Sequence, residues 1–161
     1  MGNPMPNNLH FLGNQELLKL PKIAFLSSDK FSAGSVLKSY DWATEMKWQN
    51  QCVISGFQSK IEKDVFDILL KGIQPIILVL ARGLYKNAPT KYIPHIESGR
   101  LLVVSPFTGN IQRPNNNLAS MRNQFIIDSA DEIVFAHIYK GGKLERLHVR
   151  DGVRVRVLDE E

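Results

Sequence analysis

A chain of 161 residues with 43% hydrophobic and 22% charged side chains has the composition expected of one globular domain with a buried core. Its single cysteine, Cys52, excludes an internal disulfide framework and fits a reducing cytoplasm, and no apolar run is long enough to cross a bilayer. The formal net charge of +4 favours anionic partners without requiring a nucleic acid.

Residues 1–11 are polar and read as a mobile lead. Met1-Gly2-Asn3-Pro4-Met5-Pro6 lacks the basic and apolar regions of a secretory signal, and Pro6 stands where a myristoylation motif needs Ser or Thr. Leu17-Leu18-Lys19-Leu20 predicts a helical turn stopped by Pro21, and Lys22 to Leu26 a first buried strand opening into Ser27-Ser28-Asp29-Lys30. Apolar spacing from Val36 to Trp48 predicts an amphipathic helix with Trp42 and Trp48 packed over its ends. Cys52-Val53-Ile54 is a second strand, with Cys52 a small core side chain, and it leads into Ser55-Gly56 and Ser59-Lys60. Val65, Phe66, Ile68, Leu69 and Leu70 line the next helix, closed by Gly72, whose Glu62, Asp64 and Asp67 read as a solvated acidic face.

Pro75 to Leu80 is the third strand, and its exit loop carries Arg82, Gly83 and Lys86. A helix from Lys91 to Glu97, ended by Gly99, precedes a fourth strand at Leu101 to Val104. The polar loop from Ser105 to Asn117 includes Arg113. It enters a helix with Met121, Phe125 and Ile126 on its apolar face and Arg122-Asn123 in its first turns, before a fifth strand at Ile133 to Ala136.

Five alternations of strand and helix predict an α/β, doubly wound, Rossmann-like and mostly parallel sheet with helices on both faces. In such a sheet all carboxyl ends share one rim, and ligands bind where the strand order reverses. The exits bring Ser27, Ser28, Lys30, Ser55, Gly56, Ser59, Lys60, Arg82, Gly83, Lys86, Ser105, Arg113 and Arg122 to that rim. Small residues admit close backbone approach and the cations suit phosphate. For Arg122 and Asn123 two readings stand: an anion contact at a helix start, or a structural pair tying loop to helix. There is no GxGxxG, no GxxxxGK[ST] and no GxSxG. His10, His95, His137 and His148 are isolated, so neither a cofactor nor a metal is expected.

The tail departs from the alternation. Lys143 to Val149 and Val153 to Val157 both alternate around Arg150-Asp151-Gly152, which predicts a basic β-hairpin over residues 143–158. Leu147 would oppose Val155, and Val149 would oppose Val153. The other face, with Arg146, His148, Arg154 and Arg156, reads as a nucleic-acid or acidic-partner surface, or as a basic edge that discourages sheet-to-sheet pairing.

Gly13-Asn14 with Leu17-Leu18, Pro21-Lys22-Ile23-Ala24, Ser55-Gly56, Val79 with Gly83-Leu84, Ser105-Pro106, and Arg122-Asn123 with Ile126-Ile127 follow one order and spacing. From Leu12 to Leu144 the chain resembles the Rossmann-like domain of the DNA-processing DprA/Smf family, a branch of the superfamily that includes cytokinin-activating phosphoribohydrolases. The resemblance implies a non-enzymatic, cytoplasmic protein that binds single-stranded DNA in a basic rim pocket. It also implies a homodimer that hands the strand to a recombinase during transformation. Phosphate contacts would fall to Ser27, Ser28, Lys30, Ser55, Gly56, Lys60, Arg82, Gly83, Arg113, Arg122 and Asn123, with Tyr85 or Phe107 stacking a base. The alternatives are a nucleotide-binding sensor, or a nucleotide phosphoribohydrolase, of whose Pro-Gly-Gly-x-Gly-Thr-x-x-Glu loop only Gly141-Gly142 and Glu145 are present. The chain departs from the DprA/Smf pattern where Ser27-Ser28-Asp29 replaces Gly-Ser-Arg, where Ser55-Gly56-Phe57-Gln58-Ser59-Lys60-Ile61-Glu62 replaces Ser-Gly-Leu-Ala-x-Gly-Ile-Asp, where Ala119-Ser120 replaces an aromatic-proline pair, and where Gly141-Gly142-Lys143-Leu144 replaces Ser-Gly-Ser-Leu.

Overall fold

The apolar runs become adjacent strands of one sheet in the computed structural model, which describes residues 8–159. The strands are β1 (His10–Leu12), β2 (Lys22–Leu26), β3 (Cys52–Ser55), β4 (Ile76–Val79), β5 (Leu101–Ser105), β6 (Glu132–Phe135) and β7 (Arg154–Val157). Their order across the sheet is β1-β5-β4-β3-β2-β6-β7. Every neighbouring pair is parallel except β1 with β5, which run antiparallel with Phe11 opposite Val104. The helices are α1 (Ala33–Met46), α2 (Lys60–Leu70), α3 (Ile93–Glu97) and α4 (Asn116–Ser129).

Strands covered on both faces need apolar side chains at consecutive positions, which is why these runs do not alternate in polarity. Phe25, Val53, Ile76, Leu78, Leu101 and Val103 point to the side covered by α1 and α2, where Trp42, Met46, Ile61, Val65, Phe66 and Leu69 meet them. Ala24, Leu26, Ile54, Ile77, Val79, Leu102 and Val104 point to the other side, against Phe125, Ile126 and Ile127 of α4. Capping boxes start both α1, through Ser32 and Ser35, and α2, through Ser59 and Glu62. At the other end of α2, Arg100 donates to the carbonyls of Leu69, Leu70 (2.9 Å) and Gln74 (2.8 Å).

Several expectations change. Trp42 stacks on Phe25 at 5.0 Å, but Trp48 is 61% exposed, with the Lys47 ammonium over its ring. Residues 10 and 11 are not a mobile lead: with Leu12 they extend the sheet as β1, while residues 1–7 lie outside the described residues. Cys52 is a buried core side chain, and burial pushes its thiol up to about 12.

The expected hairpin over residues 143–158 does not form. Leu144–Arg146 is a 3-10 turn, and β7 pairs in parallel with β6, from Glu132 opposite Arg154 to Phe135 opposite Val157. Leu147 and Val149 therefore do not oppose Val155 and Val153. Between β6 and β7 the chain crosses the α4 side, burying Leu144 and packing Ile138, Leu147, Val149 and Val153 on that core. The Gln124 amide bonds both the N–H (3.0 Å) and the carbonyl (2.8 Å) of His148. Arg150 donates to the carbonyls of Ile127 (3.3 Å), Asp128 (2.7 Å) and Ala130 (2.7 Å), satisfying the end of α4. The alternation of Lys143 to Val149 records burial under a crossover, not strand pairing.

Candidate nucleic-acid interface

The chain runs outward from β2 through β3, β4 and β5, then α4 carries it back across the other face to β6. The order reverses between β2 and β6, and their exits part there to form a cleft of about 850 Å³. One wall is the exit of β2, Ser27 to Lys30. The start of α2 supplies Gln58, Ser59, Glu62 and Lys63, and the start of α4 supplies Asn115, Asn116, Ala119, Arg122 and Asn123. The segment after β6 closes the cleft with Tyr139 to Leu144 and Arg146.

Glu62 holds the floor together. It is 3% exposed, and its two oxygens accept from three backbone N–H groups: Gln58 (2.9 Å), Ser59 (3.3 Å) and Ser27 (2.9 Å). One carboxylate thus ties the exit of β2 to the start of α2. The expected solvated acidic face is wrong for this residue, and the signal that marks it in the sequence is the capping-box spacing from Ser59. Asp64 and Asp67 are partnered instead, Asp64 by Tyr40 and Lys60 and Asp67 by Lys91 at 3.1 Å.

Arg122 is the second buried charge, 4% exposed. Its Nε donates to Asn123 Oδ1 (2.8 Å) and its Nη1 to Gln58 Oε1 (2.9 Å), and the guanidinium lies flat over Gly56. Burial pulls its pKa below the ordinary arginine value, and the Glu62 carboxylate opposes that shift. Met121, expected on the apolar face, is 53% exposed while Arg122 turns inward. Helical spacing cannot distinguish these neighbours, and only the position of Gln58 and Gly56 across the cleft decides between them. The backbone between those two is strained, with Phe57 at φ 47, a conformation that side chains other than glycine rarely adopt. Its ring is held by stacking on Phe66 at 4.4 Å.

Of the residues expected at the rim, the fold brings Ser27, Ser28, Lys30, Ser59, Arg122 and Asn123 onto the cleft, joined by Arg146, which was expected on the basic face of the hairpin. Ser55 and Gly56 lie beneath it, fully buried. Lys60 turns along α2 to Asp64 (2.9 Å). Arg82 lies over the Tyr85 ring, 5.1 Å from its centroid, and donates to Gly83. Gly83 packs on the Thr108 backbone, and Ser105 donates to the Arg82 carbonyl. Lys86 and Arg113 are exposed outside the lining, Arg154 sits 3.9 Å from Glu132, and His148 and Arg156 also lie away from the cleft. Tyr85 and Phe107, expected to stack a base, do not line the cleft.

The reading missed Lys63, Tyr139, Lys140 and Lys143. The last three follow the fifth strand directly in a glycine-containing basic run, and the rim rule applies to that exit too. With them, six cations (Lys30, Lys63, Arg122, Lys140, Lys143, Arg146) face two carboxylates, Asp29 and Glu62. The starts of α2 and α4, capped by the Ser59 and Asn115 side chains, add the positive ends of their dipoles. The surface is built to receive anions.

The sequence matches no protein-family model and no curated protein. In fold the chain is similar to DNA processing protein A from Helicobacter pylori, known for a unique single-stranded DNA binding mode. The TM-score is 0.69 with 18% identity, covering 89% of this chain and 66% of that one. DNA processing protein A (DprA) from Streptococcus pneumoniae is similar at TM-score 0.65 and 23% identity, covering 86% and 50%. The molybdenum cofactor binding protein from Rippkaea orientalis is more distant, at TM-score 0.52 and 14% identity, covering 78% and 67%. The chain thus has the DprA-like, Rossmann-like fold, and it spans just under two thirds and one half of the lengths of the two DNA processing proteins.

Proposed function

We propose that this chain binds single-stranded DNA along the cleft between β2 and β6. The phosphates would lie on Lys30, Lys63, Lys140, Lys143 and Arg146 and at the starts of α2 and α4. The observation that carries the reading is the concentration of six cations at the switch point of a fold shared with DNA processing protein A, one example of which binds single-stranded DNA. A concave cleft of this kind suits unpaired nucleotides, whose phosphates and base faces are both accessible.

Arg122 supports the floor more than it offers a free charge, because two of its nitrogens are engaged and its side chain is nearly enclosed. Glu62, the buried carboxylate of the cleft, has both oxygens bonded to backbone N–H groups. That arrangement suits holding loops together rather than moving protons, which favours a binding protein over a hydrolase. The same reading carries a homodimer that passes its strand to a recombinase, supported by the sequence resemblance. Sedimentation velocity with and without the strand tests the first of these.

The decisive experiment is a fluorescence-anisotropy titration with a labelled oligo-thymidine at several salt concentrations. Engagement of four or five cations predicts a log–log salt slope of about −3, since single strands give about −0.7 per phosphate neutralised. Absence of binding at low salt overturns the proposal. Binding of a labelled mononucleotide in its place would turn the reading to a nucleotide sensor.

A further inference from the structure

Tyr139 is the aromatic side chain among the described residues that line the cleft. It is half-buried, and its hydroxyl has no hydrogen bond among the described residues, although a partly enclosed tyrosine ordinarily finds one. Its ring packs on a neighbouring ring. The His137 imidazole meets it edge-on, with ring centroids 4.3 Å apart and planes at 64°. His137 Nδ1 is fixed by the Asp159 backbone carbonyl at 3.2 Å, and Asp159 Oδ2 accepts from Ser32, the N-cap of α1. The Gly142 N–H closes a turn onto the Tyr139 carbonyl at 2.9 Å, and a β-carbon at Gly142 would stand 3.4 Å from that of Tyr139. The ring therefore lies on a cleft wall against His137, on a backbone closed by the turn to Gly142, with Lys140 and Lys143 near it in the chain.

We infer that Tyr139 forms a base-stacking subsite, taking one unpaired nucleobase on its ring while the neighbouring lysines hold the flanking phosphates. The inference rests on the single-strand reading above and adds to it how a base, as distinct from the backbone, is engaged. Aromatic platforms between backbone cations are the general means by which proteins grip single strands, because every base has a stacking face.

The test compares a labelled oligo-thymidine with an abasic strand of the same length, for the wild type, Tyr139→Leu and Tyr139→Phe, at one fixed salt concentration. The wild type binds oligo-thymidine more tightly than the abasic strand. Tyr139→Leu weakens oligo-thymidine binding about tenfold or more, leaves the abasic strand within about twofold, and keeps the salt slope, as loss of one stacking contact requires. Tyr139→Phe retains wild-type affinity. Equal loss for both strands in Tyr139→Leu overturns the subsite in favour of a role in shaping the loop. Equal wild-type affinity for both strands, or no loss in Tyr139→Leu, overturns the subsite and leaves strand binding intact. A wild-type chain that binds neither strand overturns both readings.

Discussion

The Arg122 guanidinium rests on the bare Cα of Gly56, so closely that a β-carbon on that glycine would stand 2.5 Å from Arg122 Cζ. Arginine side chains usually give way to such a clash, but this one is enclosed and bonded to both Gln58 and Asn123. Gly56→Ala should therefore break those bonds or shift α4, at about 1–3 kcal/mol. Thermal unfolding should show a midpoint lower by several degrees. An unchanged midpoint would mean that Arg122 moves freely. By the same logic Arg122→Ala reports on folding before it reports on ligand binding.

Glu62→Gln exchanges one acceptor oxygen for a donor that faces backbone N–H groups. At least one of the N–H groups of Ser27, Gln58 and Ser59 then loses its partner, at about 1–3 kcal/mol. Amide exchange should quicken at those three residues more than in β3 or β4. Uniform quickening through the sheet would argue against a local tie.

The Tyr40 hydroxyl donates to the Asp64 carboxylate and so joins α1 to α2. That bond, with burial, pushes the tyrosine up to about 12, and the same bond, aided by Lys60, holds the carboxyl below its ordinary 3.8. A depressed carboxyl contributes stability above its unfolded value and loses it as pH falls through the folded one. A raised phenol contributes below 10 and loses its share as pH rises towards 12. The stability difference between wild type and Tyr40→Phe should be about 1 kcal/mol and flat near neutrality. It should shrink below about pH 4 and above about pH 10. A difference that does not change with pH would refute the assignment.

Arg150 is the clasp of the crossover. Arg150→Ala leaves the last carbonyls of α4 without their donor and should cost about 1–3 kcal/mol. Exchange protection of the β7 amides should fall before that of β2 to β5. Lysine should restore little, since one ammonium cannot span three carbonyls as the planar fork does.

Cations inside and outside the cleft should separate cleanly. Lys140→Ala with Lys143→Ala should flatten the salt slope of strand binding by about 1.4. Arg113→Ala and Arg156→Ala, both remote from the cleft lining, should leave affinity within about twofold. Equal effects from both pairs would point to diffuse attraction rather than a defined cleft.

The parallel sheet was legible because buried strands and amphipathic helices leave periodic records, and runs such as Ile76 to Val79 and Leu101 to Ser105 can be buried in few other ways. That the strand exits share one rim followed from topology, and so did the place of Ser27, Ser28, Lys30 and Arg122 on its cleft. The tertiary structure alone decided which rim residues face one another. A loop's chemistry does not reveal its direction, so Lys60 and Arg82 turned to local partners while Lys63, Tyr139 and Lys140 came to line the cleft. The alternating tail had the pattern of a hairpin, yet Gln124 and Arg150 drew it across α4 and placed β7 parallel to β6. Glu62 and Arg122 make the same point from the core: a charge is buried only where a particular set of partners has been assembled around it, and those partners lie far away in the chain.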